Sequence, residues 1–389
     1  GEATTTTSRA VSSGGYTTID GGTFEAFSTS TTAYGLYAVS GKLTASGVTI
    51  SANATQYAYG AYADCAVPTN NTAQTGFAYA GEIELNNCDI TATTRTSTEA
   101  RGVVVNATNK NHNWTQFEKD KTSYSWSDAT YNAYKSVFPC TVAGHDSVGI
   151  AIAAKATING CDVKVTAGMT TAYGVYSTAT SVPASADSVA SPVVDIKNTK
   201  FTVKTDASTG TTTAYGVYAG GPTTIDGCDF TVLPKTTTAY GVYAYDKKTT
   251  ITNTKFDVKG TNTVYGLYAN AAIGSTTGWD YHGEFELGEG NDMTVAATAG
   301  NTSHVLTLIA AKRNVASGRF AGDYANAASA LITGGKYKAT ATGTTSYVLN
   351  LSAQQVQGSA VSQPSCIIEG GKIARSEERF SRNAETDLV

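Results

Sequence analysis

Only two Met and seven Pro occur in 389 residues, and just 15% of the chain is Asp, Glu, Lys or Arg. With 27 basic against 31 acidic residues and no dense Lys/Arg stripe, the sequence speaks against phosphate backbones and anionic membranes as partners. No apolar run approaches the roughly 18 residues of a membrane span, so a soluble chain is expected. The first residue is Gly1 rather than Met, as expected where a signal segment is removed or lies outside this stretch. Six Cys are present without a CxxC pair, and His112, His145, His282 and His304 share no ligand spacing. GxSxG elbows and GxxxxGK[ST] loops are also missing. No catalytic group, cofactor or metal is therefore expected.

What the chain has in quantity is 23 Tyr, long Thr tracts and a repeat. TAYGVYA at 213 to 219 returns at 238 to 244 and, as TVYGLYA, at 263 to 269, which spaces Tyr215, Tyr240 and Tyr265 by 25 residues. Upstream of the Tyr-Gly pairs stand IDGCDFTV from Ile225, ITNTKFDV from Ile251, IKNTKFTV from Ile196 and INGCDVKV from Ile158. The same aliphatic-to-apolar spacing recurs at Ile19/Phe24, Leu43/Val48, Leu85/Ile90, Val315/Phe320, Ile332/Tyr337 and Ile368/Ile373. VGIAIAA at 148 to 154 and the stretch from Leu287 to Val295 read as degenerate copies. Within a unit, apolar and polar residues alternate as in half-buried strands, and Asp-Gly, Asn-Gly, Asn-Thr or Gly-Gly supplies a bend. A unit this short cannot bury its own apolar face, so successive copies must stack.

On these repeats the chain resembles the right-handed parallel β-helix proteins of the pectate-lyase-like type, over nearly its whole length. The fold expected is all-β: one right-handed parallel β-helix solenoid of about 12 coils, a rod of roughly 55 to 60 Å. A single domain, 1–389, is expected, with 1–18 as an N-terminal segment or cap and 374–389 as a C-terminal cap. Insertions are expected at 63–80, 106–137, 177–194 and 270–283. Asp146-Ser147-Val148 and Asp187-Ser188-Val189 are similar to the Asp-Ser/Thr-aliphatic pattern of O-glycosylated exported proteins in Bacteroidota, which, with the coils IDGGTF and ITGGKY, implies an exported surface protein.

Three ladders follow from the repeat. Cys88, Cys161 and Cys228 fall at one place in their coils, with Ser46, Thr199 and Thr254 at the matching place elsewhere; coil counting sets these Cys two coils apart, too far to bridge. The pairing of Cys65, Cys140 and Cys366 is open. Asp162, Lys200, Asp229, Lys255, Asp292 and Arg319 form a column of alternating sign that would fix register, broken by Lys336 and Lys372. In the third, Tyr34, Tyr59, Tyr173, Tyr215, Tyr240 and Tyr265 share parity with the inward aliphatics and are expected buried. Tyr37, Tyr62, Tyr176, Tyr218, Tyr243 and Tyr268 are expected outward, beside a glycine trough of Gly35, Gly60, Gly102, Gly149, Gly174, Gly216, Gly241 and Gly266. These tyrosines, with Trp114 and Trp126 of the longest insertion, are the candidate contact surface, although simple ring-on-ring support of the sheet competes with that reading.

Candidate glycan acceptors are Asn53, Asn70, Asn106, Asn113, Asn301 and Asn350, with Ser147 and Ser188. Glu284, Glu286, Glu289 and Asp292 are strung along the chain without an obvious basic partner and read as a solvated edge. Enzymes of the resembled fold use clustered carboxylates or calcium, and no such cluster stands out here. The expected function is that of an extracellular or cell-surface structural or adhesive rod, self-associating into an oligomer or filament, with GEATTTTSRAV free to add to a neighbour and SEERFSRNAETDLV capping a face. The alternative is a protein that binds or degrades polysaccharide.

Overall fold

The computed structural model describes residues 2–3, 6–66, 79–96, 98–113, 127, 147–178, 190–206, 211–233, 235, 237–273, 280–299, 302–315, 322–341, 345–353 and 363–375. These form a right-handed parallel β-helix with no helical residue among them. Each coil crosses three sheets in the same order. In one coil, Thr223–Asp226 lies in sheet I, Asp229–Leu233 in sheet II and Thr238–Ala244 in sheet III. Apolar side chains of alternate positions point inward, so Ile225, Phe230, Val232, Ala239 and Val242 are fully buried while the Thr between them face out. Small inward residues on sheet III leave room for the large ones of sheet II. There Phe201, Phe230 and Phe256 stack at 4.5 and 4.9 Å, within 2° and 6° of parallel.

The bend between sheets I and II needs one residue in the left-handed region, which Gly or Asn tolerates. Its occupants from coil to coil are Gly47, Asn87, Gly160, Asn198, Gly227, Asn253 and Gly290, all at φ between 48° and 73°. The alternation has a steric cause. A Cβ on Gly160 would sit 2.3 Å from Asn87 Oδ1, and one on Gly290 would sit 2.3 Å from Asn253 Oδ1. Each Asn carboxamide therefore covers a neighbouring coil's glycine, and two adjacent coils cannot both carry a side chain there. This column pins register.

Several expectations need correction. Residues 148–154 are not a coil: Ser147–Ala153 pairs antiparallel with Ala107–Asn113, so the second insertion returns to the helix only at Ala154. Asp89 consequently pairs with Asp162, and Cys88 and Cys161 occupy adjacent coils, the Cys88 amide donating to Cys161 Sγ at 3.4 Å. Cys65, Cys88, Cys161, Cys228 and Cys366 are free thiols, and burial pushes Cys228 up to about 11. Cys140 lies outside the described residues. Leu43/Val48 is out of register by two: Ala45 pairs with Leu85 and Ile50 with Ile90, so Val48, not Ser46, stands in the Cys88 column.

Val315/Phe320 is not a coil either, because Ala310–Val315 folds back antiparallel on Gly322–Ala327. Arg319 lies outside the described residues, and Asp292 pairs instead with Lys336. The charge column therefore reads Asp89, Asp162, Lys200, Asp229, Lys255, Asp292, Lys336, Lys372, with like charges at both ends. Asp162 bonds Lys164 of its own strand at 2.8 Å. Exposed pairs of this kind contribute little. The first residues are no separate cap, since Thr7–Ser13 is already a rung of sheet III.

Candidate functional site

The Tyr-Gly strands all lie in sheet III, and their geometry differs from a plain alternation. Tyr215 pairs with Tyr240 and Val217 with Val242, but the intervening glycines leave the ladder. Ala214, Gly216, Val217 and Ala219 are all buried, so two successive residues face inward and the tyrosines three apart both face outward. The first column of tyrosines is thus not inward, and the glycine column is not an outer trough. A Cβ on Gly216 would meet Gly241 O at 2.4 Å and the Phe230 ring at 3.0 Å, inside the wall. Gly149 is outside this column, paired with Asn111 in the insertion.

Outside the glycine wall stands a double file of rings, in which Tyr59 and Tyr173 are buried, as expected of the first column, and the others are half-buried. Tyr173, Tyr215, Tyr240 and Tyr265 stack at 4.8 to 4.9 Å within 10° of parallel. Tyr176, Tyr218, Tyr243 and Tyr268 stack beside them at 4.9 to 5.1 Å. Across the files the rings meet edge to face, at 5.3 Å and 80° for Tyr240 and Tyr243. Tyr34 and Tyr59, with Tyr37 and Tyr62, form a shorter block of the same kind. Inside the long block each ring therefore packs both on the rings of neighbouring coils and, edge to face, on the other file.

Four members of the first column were missed. Register places Arg9, Arg101, His304 and Tyr347 in line with the tyrosines. The Arg101 guanidinium lies between Tyr59 and Tyr173, 5.6 and 5.3 Å from their centroids, and 3.8 Å over Tyr176. Glu99 holds it by an ion pair. His304 stacks between Tyr265 and Tyr347 at 4.9 and 5.0 Å. Aligning TSRAVSS, EARGVVV, TSHVLTL and TSYVLNL on the Tyr-Gly strands would have found them. Each carries a flat π system that continues the stack.

Electrostatics follow from burial. Desolvation raises the phenols, pushing Tyr59 and Tyr215 up to about 12, and Tyr37 donates to Asp64. Desolvation lowers His304 to about 4, so its imidazole is neutral at ordinary pH. These groups are uncharged hydrogen-bond donors or ring surfaces, not acids or bases tuned near neutrality.

Trp114, Trp126, Asn70, Asn301 and Ser188 lie outside the described residues, and the side chains of Asn113 and Ser147 are likewise outside them. Asn53 and Asn350 are half-buried on sheet strands. Asn106 donates to Asp64 at 3.0 Å and accepts from Thr178 at 3.1 Å. The acidic edge does have partners: Glu284 meets His282 at 3.1 Å, and Glu286 pairs with Lys248. An open depression of about 600 Å³ at the corner of sheets I and II is lined by Glu289, Asn291, Asp292, Lys336 and Lys372. The Asn291 carboxamide there is spent on the backbone of Ile251, Gly288 and Thr254. Among the described residues no group of three His, Cys, Asp or Glu could hold a metal ion, and no helix could cross a membrane.

No protein-family model matches the chain, and no curated protein matches it. Among solved structures, the periplasmic alginate epimerase AlgG is similar over 91% of this chain and 78% of its own, at 7% identity and a TM-score of 0.32. At that identity and score the likeness does not bear on this chain's activity.

Proposed function

We propose that the chain is a structural or adhesive rod of the cell exterior, whose outer aromatic files stiffen the coil rather than recognise a ligand. The observation that carries this reading is that the rings stack on one another. A sugar stacks on a free aromatic face, and inside the long block the faces are already taken by rings 4.8 to 5.1 Å away. Each ring pair contributes roughly 0.5–1.5 kcal/mol beyond its area burial, so eight rings in one block make a large local contribution to a one-dimensional stack.

The test is the triple variant Tyr218→Ala, Tyr243→Ala, Tyr268→Ala. On the rod reading its thermal midpoint falls sharply, and retention on polysaccharide arrays equals that of the unaltered chain. Retention by the unaltered chain that disappears in a variant still folded by circular dichroism overturns the reading in favour of the polysaccharide-binding alternative.

A further inference from the structure

We propose that Cys88 and Cys161 close into a disulfide across two adjacent coils, a staple that ties the helix before its longest excursion to the helix after it. The site goes beyond the rod reading and concerns side chains with no part in the tyrosine files. Register brings the two together: Asn86 pairs with Asn159 on one side of the bend and Asp89 with Asp162 on the other, so the cysteines share one rung. Neighbouring parallel strands lie about 4.8 Å apart, inside the roughly 4.4–6.8 Å that the Cα atoms of a disulfide span.

The Cys161 sulfur leans toward the earlier coil, where it accepts from the Cys88 amide at 3.4 Å and lies 3.6 Å from Leu85 O. The Cys88 sulfur leans the same way, onto Ala45 O at 3.4 Å, so a turn about its χ1 bond swings it from that carbonyl to the Cys161 sulfur. Little holds it back, because a thiol is a weak donor. Both side chains are buried, at 1% and 3% exposure, and each thiol answers to the other: the hydrogen bond from Cys161 draws Cys88 down against the effect of burial and pushes Cys161 up. Cys228 is the contrast. It stands in the same column on the same kind of carbonyls, but its neighbours there are Thr199 and Thr254, and burial pushes it up.

Cys88 and Cys161 are 73 residues apart in sequence, whereas the later neighbours Cys161 and Thr199, Cys228 and Thr254, and Thr254 and Asn291 are 38, 26 and 37 apart. The extra length is the excursion that leaves after Asn106 and returns at Ala154, whose amide donates to Asn106 O. Loop-closure entropy grows with loop length, so of these contacts this is the one where a covalent bond constrains the unfolded chain most. The bond forms by exchange with a small-molecule disulfide such as oxidised glutathione. The Cys88 thiolate attacks its S–S bond and releases one glutathione thiolate, which takes the Cys88 proton; the Cys161 thiolate then attacks the Cys88 sulfur and releases the second. Two protein thiols are oxidised to one disulfide, and one glutathione disulfide is reduced to two thiols. Because the folded pair is buried, the exchange runs while the coils are still closing.

Refolding the 389-residue chain from urea with reduced and oxidised glutathione, blocking free thiols with N-ethylmaleimide in denaturant and mapping the peptides by mass tests the proposal. The oxidant is supplied, so the outcome is independent of the rod reading and of a place outside the cell. Expected are a linked Cys88–Cys161 peptide pair, full alkylation of Cys228, and a folded-to-unfolded ratio in urea at least about tenfold higher than after reduction with dithiothreitol. Cys88→Val, which repeats the residue that Val48 supplies one coil earlier in the column, and Cys161→Ser each remove both the linked peptides and the gap between oxidised and reduced urea midpoints. Full alkylation of Cys88 and Cys161 after oxidative refolding of the unaltered chain overturns the proposal, whether or not the variants fold. So does a link of either to another cysteine, or a Cys88–Cys161 link that leaves the urea curve where the reduced chain has it.

Discussion

The two tyrosine blocks share one sequence motif but not one geometry. From Tyr173 to Tyr265 the first-column rings lie within 10° of parallel, whereas Tyr34 and Tyr59 of the same column are tilted by 40°. The difference begins inside the wall. Behind the long block stand the flat, stacked rings of Phe201, Phe230 and Phe256, reaching 3.0 to 3.2 Å from the glycine Cβ positions. Behind the short block, branched Ile50 and Ile90 press Cγ2 to 2.3 and 2.4 Å from the equivalent positions. A planar inner column lets each coil repeat its predecessor, so the outer rings inherit the repeat; a branched one does not. Inner packing is thus written on the outer surface through a wall one glycine thick.

The comparison breaks most severely if that wall is thickened. Gly241→Ala puts a Cβ 2.5 Å from Gly266 O and 3.2 Å from the Phe256 ring, and a backbone carbonyl cannot move aside without moving its coil. A loss of about 4 kcal/mol or more is expected, read as a collapse of the thermal midpoint. Gly60→Ala does the same in the short block, with Gly102 O at 2.6 Å. If either alanine is tolerated within about 1 kcal/mol, the glycines are not the constraint.

These residues also show where sequence reasoning stopped. The coil, its three strands and the inward Phe column were legible because a period of two within strands and about 25 between them constrains every copy. The outward facing of the first tyrosine column was not, because counting by twos assumes an unbroken ladder and the strand kinks at glycine. The slip at GKLTASGVTI has a similar cause. Leu43/Val48 and Ala45/Ile50 have the same spacing, and only the neighbouring coil decides between them. Arg101 and His304 went unseen because chemical type, rather than planarity, was being matched.

The far end of the long block differs from its start in chemistry, and pH separates them. His304 is 7% exposed and depressed to about 4 from the ordinary 6.5. An unfolded chain takes up that proton below pH 6.5 while the folded one refuses it until about 4. Stability therefore falls across this window, by roughly 3 kcal/mol in all. His304→Phe keeps the ring stack and removes this fall, so urea midpoints at pH 7 and pH 4.5 should converge in the variant relative to the unaltered chain. Equal pH slopes in both would place the imidazole in a more polar setting than its stacking implies.

The smallest effect lies at the boundary between the blocks. Arg101 joins them by its flat guanidinium and answers Glu99, so two interactions depend on one side chain. Arg101→Leu keeps the aliphatic cover and removes both, at an expected loss of about 1–2 kcal/mol in chemical denaturation. Arg101→Tyr restores a ring and recovers most of it if planarity is what the column requires. Recovery by Arg101→Lys instead, which restores charge without a plane, would show that the ion pair governs the boundary and that the two blocks are electrostatically joined but not continuous as stacks.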